Sequence, residues 1–172
     1  IEIASGFEEA RLTYLGVMQA LPVFAKRVLM IDIGGGSTEF LLGDHGQILF
    51  DNSLKIGAVR LSQRFFSTGK IERGAVKACR DYIAGTMFPV VRELQSRSYE
   101  SAVGSSGTIQ ALARMIRGQR RESTAGMTNA FVIRRPELRR VVAAITKART
   151  VAQRRKLPGL DPGRADIVIA GA

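Results

Sequence analysis

The chain is 172 residues with a formal net charge of +11, a pI near 10.8, one Cys, one His and no Trp. Its 45% hydrophobic content can fill one domain core and excludes a wholly disordered chain, while no stretch approaches the ~18–20 apolar residues of a membrane helix. No signal peptide opens the chain, and a single Cys cannot close an internal disulfide, so a reduced, cytoplasmic setting with no membrane partner is expected.

Ser5-Gly6-Phe7-Glu8 has capping-box spacing and predicts a helix over residues 6–20, with Leu12, Tyr14, Leu15, Val17 and Met18 as its apolar face. Residues 28–33 form an apolar run broken only by Asp32, as expected of a buried strand. Gly34-Gly35-Gly36 predicts a tight turn, residues 37–42 a second strand, and residues 47–53 a third after the turn at Asp44-His45-Gly46. A short helix is expected over residues 57–66. A long amphipathic one follows over residues 71–94, with Val76, Cys79, Ile83, Met87, Val90, Val91 and Leu94 inward. Residues 101–104 read as a strand and 109–116 as a helix. Residues 118–128, polar and charged, are expected to be a mobile loop. Pro136 suits the first turn of a helix reaching about residue 149. Residues 167–169 read as a last strand. Strands and helices without regular alternation predict a mixed α/β domain.

The charge has a location. Residues 114–156 hold 13 Lys and Arg against Glu122 and Glu137, a balance of +11, while the rest of the chain holds 13 basic and 13 acidic groups and sums to zero. A solvated face, a surface for a polyanion or nucleic acid, and a docking face for an acidic part of the same protein are three readings of this stretch. Only Phe131 interleaves these arginines and no zinc-finger spacing occurs, which disfavours nucleic acid.

The strongest chemical signal is Asp32-Ile33-Gly34-Gly35-Gly36-Ser37-Thr38-Glu39. Three glycines allow positive φ and close backbone approach to a ligand, and their amides can point together at phosphate oxygens. Asp32, at a strand end, suits a hydrated Mg²⁺, with Glu39 as a second carboxylate. A plain glycine hairpin with an acid at its mouth is the structural alternative. The pattern is neither a P-loop nor a dinucleotide-binding fingerprint. Glu8 and Glu9 point about 100° apart on a helix, and the capping role of Glu8 leaves Glu9 free. His45 is expected exposed in its turn and Cys79 in the core; Ser106 has no His neighbour in sequence, so serine-hydrolase chemistry is not supported. Arg11 and Arg60 either touch phosphate or make internal salt bridges.

Residues 32–39 resemble the second phosphate-binding element of actin-like ATPases, in the form carried by exopolyphosphatases and guanosine pentaphosphate phosphohydrolases. Ser5-Gly6-Phe7-Glu8-Glu9-Ala10-Arg11-Leu12, Gly57-Ala58-Val59-Arg60-Leu61 and Gly104-Ser105-Ser106-Gly107-Thr108-Ile109 also resemble segments of that family. So does Leu157-Pro158-Gly159-Leu160 with Arg164-Ala165-Asp166-Ile167 and Ala170-Gly171-Ala172, and the blocks run in order along the whole chain. The resemblance implies a ribonuclease-H-like (actin-like) α/β domain with a mixed sheet flanked by helices. It implies Glu9 as the general base on an attacking water, Asp32 and Glu39 as Mg²⁺ ligands, and Gly34, Gly35, Gly36 and Ser37 as a phosphate loop. Ser106, Gly107 and Thr108 would form a second backbone loop near the substrate. Members of the family begin with another ribonuclease-H-like half carrying an Asp-x-Gly-Ser-Asn-Ser loop, and no such segment occurs in these residues. With Ile1 rather than Met at its start, the chain is expected to be the second half of a two-domain core, holding one wall of the site and nearly inactive alone. The substrate would be inorganic polyphosphate or guanosine pentaphosphate, with Mg²⁺ as cofactor; a homodimer stays open. An actin-like ATPase or sugar kinase and a non-catalytic polyanion-binding regulatory module are the alternatives. Residues 114–156 would then guide an extended polyanion.

Overall fold

A computed structural model describes residues 6–123 and 129–172, without the side chains of residues 6, 7, 9 and 10. Ser5 and its capping box lie outside the described residues, as do the last five residues of the expected mobile loop. The elements run in the order α1 (Gly6–Ala20), β1 (Arg27–Ile33), β2 (Thr38–Asp44), β3 (Gln47–Leu54), α2 (Ala58–Phe65), α3 (Ala75–Gln95), β4 (Ser101–Ser105), α4 (Ser106–Gln119), α5 (Arg135–Lys147), α6 (Val151–Arg154) and α7 (Val168–Gly171), with a 3-10 turn at Pro162–Arg164 before α7.

The sheet has the order β3-β2-β1-β4; β1, β2 and β3 form an antiparallel meander, and β4 joins β1 in parallel. The apolar run of β1 explains its central place: Val28, Leu29 and Met30 are all buried, as a strand covered on both faces requires. On one face α1 lays Tyr14, Val17 and Met18 against Met30, Leu41 and Ile48. The larger core lies among the other helices, where Leu61, Met115, Ile116, Val141 and Ile145 interdigitate. No helix among the described residues is long and apolar enough to cross a membrane.

Several expectations need correction. Residues 167–169 are not a strand: Val168–Gly171 is a helical turn whose four residues are all buried. At three or four residues, an apolar run carries no periodicity to separate strand from buried helix. The helix expected at Ile109 starts at Ser106, and it runs to Gln119 into the expected loop. The long helix starts at Ala75 behind Gly74, which sits at φ 83°, rather than at residue 71, and Val91 on it is exposed. The helix begun at Arg135 stops at Lys147, and a further turn, α6, follows with Thr150 as its cap. On α1, Leu12 and Leu15 are 63% and 44% exposed, so only part of the expected apolar face meets the sheet.

The basic excess has three fates. Arg154 is wholly buried, and its guanidinium donates to the carbonyls of Ala165 (2.6 Å), Ala148 (3.1 Å) and Gly69 (2.9 Å). Burial pulls its pKa below the ordinary value, opposed by nearby Asp166. Arg120 is paired to Glu137 (2.7 Å) and lies over the Phe131 ring, and Arg149 donates to the Ile71 carbonyl. The arginines of α5 stay on the surface.

Candidate functional site

The C-terminal end of β1 collects the chemistry. In register, Asp32 lies opposite Glu39 on β2 and beside Ser105 on β4, and Glu39 lies opposite Ser53 on β3. One row across four strands thus reads Ser-Glu-Asp-Ser, with the two carboxylates adjacent. Ser53 Oγ donates to Glu39 Oε1 at 2.9 Å. Directly opposed like charges disfavour a strand pair. Pleat parity puts Asp32 on the face of Met30 and Glu39 on the face of Leu41, which is the face covered by α1. The helix that carries Glu9 is therefore on the carboxylate side of the sheet; the Glu9 side chain is not among those described.

The turn after β1 is built by α2. The Gly34 amide donates to the Ser37 carbonyl (3.0 Å) and closes the turn. The Gly34 carbonyl accepts from Ala58 N (2.8 Å), the Gly35 carbonyl from Val59 N (2.9 Å) and Arg60 N (3.1 Å), and the Gly36 carbonyl from Gly57 N (3.3 Å). These bonds satisfy the orphan amides at the start of α2. They also orient the loop. A trans peptide sets each carbonyl opposite the following N–H. With three carbonyls turned to α2, the amides of Gly35, Gly36 and Ser37 face away from it, and none of the three donates to a described residue. Free amides in a turn are the groups that backbone anion sites use.

None of the three glycines is in the left-handed region expected of them, and the close approach falls on Gly57 instead. A Cβ at Gly57 would lie 2.5 Å from the backbone of Gly35 and Gly36. Gly36 itself faces open space. Arg60 donates from Nε to the Gly36 carbonyl at 2.9 Å and so braces the loop, with no salt bridge to a described residue; Arg11 is exposed.

The second backbone element is the start of α4. Ser106 has φ 90°, and its Oγ donates to the Ile33 carbonyl at 2.9 Å, tying this loop to the strand that carries Asp32. No side chain caps α4. Thr108 is buried against Gly171 of α7. The Arg164 guanidinium lies against Gly107, where a Cβ would collide with it. Sequence reasoning gave Arg164 no role, because a three-residue 3-10 turn leaves no periodic trace; the glycine at the second position of α4 was the one available sign. Arg154 fixes Ala165, the neighbour of Arg164, through its shortest hydrogen bond. His45 and Cys79 stand apart: His45 is exposed with Nδ1 2.6 Å from Asp44 Oδ1, and burial pushes the Cys79 thiol up.

The residues fit a magnesium ion. Two residues with oxygen-only side chains lie opposite each other in register at a strand end beside outward amides, which suits an ion that takes one or two carboxylates plus substrate phosphates. Among the described residues no group of three or more His, Cys, Asp or Glu could hold a metal.

A mixed four-stranded sheet flanked by helices is the ribonuclease-H-like domain of the actin-like superfold. The family model for the Ppx/GppA phosphatase family matches residues 1–172, and the chain belongs to that family. A guanosine-5'-triphosphate,3'-diphosphate pyrophosphatase of Vibrio vulnificus is 34% identical over 119 residues, 69% of this chain and 24% of that protein. An exopolyphosphatase structure from Cytophaga hutchinsonii superposes with a TM-score of 0.78 at 30% identity, over 94% of this chain and 53% of that one. The Aquifex aeolicus Ppx/GppA family member has the same fold, with a TM-score of 0.80 at 24% identity over 99% of this chain and 53% of that one. The chain spans about a quarter of that curated relative and about half of these solved ones.

Proposed function

We propose that this chain supplies one wall of a Mg²⁺-dependent phosphohydrolase site that removes the terminal phosphate of inorganic polyphosphate or guanosine pentaphosphate. The observation that supports it most is the turning of three glycine carbonyls onto α2, which presents the amides of Gly35, Gly36 and Ser37 beside the Asp32–Glu39 pair. Phosphoryl transfer asks mainly for positioning and charge neutralisation, and oriented amides provide both without reorganising.

In this reading the three amides and the first amides of α4 hold terminal phosphate oxygens, with Arg164 adding positive charge beside Gly107. Glu9 takes one proton from the attacking water. The water oxygen forms a bond to the terminal phosphorus while the bridging P–O bond breaks, releasing orthophosphate and a chain shorter by one. Asp32 and Glu39 would hold Mg²⁺, which when bound neutralises phosphate charge. The opposite wall would come from a second half of the kind the longer relatives possess.

The test is a chimera in which this chain replaces the matching half of the Cytophaga hutchinsonii exopolyphosphatase. Phosphate release should appear in the chimera, be nearly absent from this chain alone, and fall by roughly 10²–10⁴ with Glu9→Gln. A Glu9→Gln chimera with unchanged turnover would remove Glu9 from the mechanism. Comparing long-chain polyphosphate with guanosine pentaphosphate in that assay assigns the preferred substrate.

A further inference from the structure

A groove of about 310 Å³ lies between α3 and α5, on elements that carry none of the candidate site residues. Its rim is Arg80 of α3 with Arg135 and Arg139 of α5; its floor is Leu138 and Val142, with the exposed Ala143 also lining it. The α5 residues fall at i, i+3, i+4, i+7 and i+8, so one helical stripe supplies most of the groove. Leu138 and Val142 are partly buried, while all three arginines are exposed.

None of the three guanidinium groups has a hydrogen bond, ion pair or ring contact with a described residue. The nearby acids are engaged elsewhere. Asp81 is held by Lys77 at 2.5 Å, and Glu137 by Arg120 at 2.7 Å. Three unpaired like charges around one concavity repel one another, and an apolar floor strengthens the field they project. Arg135 and Arg139 are one helical turn apart with Arg80 facing them, so three planar forks can each take a phosphate of a single strand.

We infer that this groove is a non-catalytic anchoring site for a linear polyphosphate chain, holding a stretch of substrate away from the reacting end. Polyphosphate fits better than nucleic acid because no aromatic side chain lines the groove for base stacking. It fits better than an acidic peptide because the floor offers nothing to pair with a peptide backbone. The choice of polyphosphate as occupant rests on the phosphohydrolase reading; the groove itself does not.

The experiment measures binding of end-labelled long-chain polyphosphate to this chain by fluorescence anisotropy across a salt series. Arg135→Ser with Arg139→Ser should weaken binding about tenfold at low salt and lower the slope of log K against log salt by about 1.4, at ~0.7 per charge for a single strand. Arg→Lys at both positions should restore most of the slope, which a folding defect would not allow. Pyrophosphate binding should not change. Unaltered polyphosphate binding in the double Ser variant overturns the proposal, and so does an equal loss for single-stranded DNA of matched charge, which would mark a general polyanion face. Phosphate release by the Glu9→Gln chimera tests the catalytic reading separately. Failure of the catalytic reading would therefore show in turnover alone and failure of the anchoring site in binding alone.

Discussion

The two backbone loops that flank Asp32 are supported in opposite ways. The glycine loop after β1 is locked from behind: its carbonyls receive the first amides of α2, and Gly57 approaches so closely that no side chain fits. The loop at the start of α4 is held by side chains, namely the Ser106 hydroxyl on Ile33 and the Arg164 guanidinium against Gly107. A loop fixed by backbone hydrogen bonds is rigid and hard to alter without damage. A loop fixed by side chains can be adjusted one contact at a time. The first therefore suits an invariant phosphate seat, and the second suits tuning of substrate preference.

The largest expected effect lies behind the second loop. Arg154→Ala leaves two buried carbonyls and one part-buried carbonyl without donors and empties the space of a large side chain, so it should destabilise by about 3–5 kcal/mol in urea unfolding. Next, Gly57→Ala and Gly107→Ala separate the two designs. At Gly57 the new methyl meets backbone, so a loss of about 1–3 kcal/mol is expected together with loss of pyrophosphate binding. At Gly107 it meets the mobile end of Arg164, so stability should change by less than about 1 kcal/mol while phosphate affinity falls. Equal destabilisation by the two substitutions would erase the distinction.

Smaller still is Ser106→Gly. It relieves a left-handed residue, worth about 1 kcal/mol, but loses a hydrogen bond of similar size, so stability should stay nearly level. The expected signature is instead faster hydrogen exchange at the start of α4. Least tied to either loop is the acid response. Arg27, followed by His45, holds the Asp44 carboxyl below its ordinary range, and Arg120 does the same for Glu137. Carboxyls with depressed folded-state pKa values stabilise the fold above their unfolded pKa and lose that contribution as pH falls through the folded value. Stability should thus be level near neutrality and decline below about pH 4. Asp44→Asn should flatten that decline.

Much of this was legible in the sequence because it rests on local chemistry. The apolar run 28–33, the glycines after it and the turn at His45 fix the meander, and Asp32 and Glu39 fall opposite each other once the turn is four residues long. The split between carbonyls inward and amides outward was not legible, since it depends on where α2 docks. Arg60 and Arg164 were visible as residues of matched segments but not for their places, because Arg60 bonds a carbonyl and Arg164 lies against a glycine, each far along the chain. The net charge misled in one respect: composition counts Arg154 with the surface, while burial makes it a clamp.

The most direct test is an amide-resolved NMR titration of this chain with pyrophosphate and Mg²⁺. The account predicts saturable shifts at Gly35, Gly36, Ser37 and the first residues of α4, with the Gly34 amide, already bonded to Ser37, moving least. Saturable shifts confined to α3 and α5, or none at the glycine loop, would contradict it.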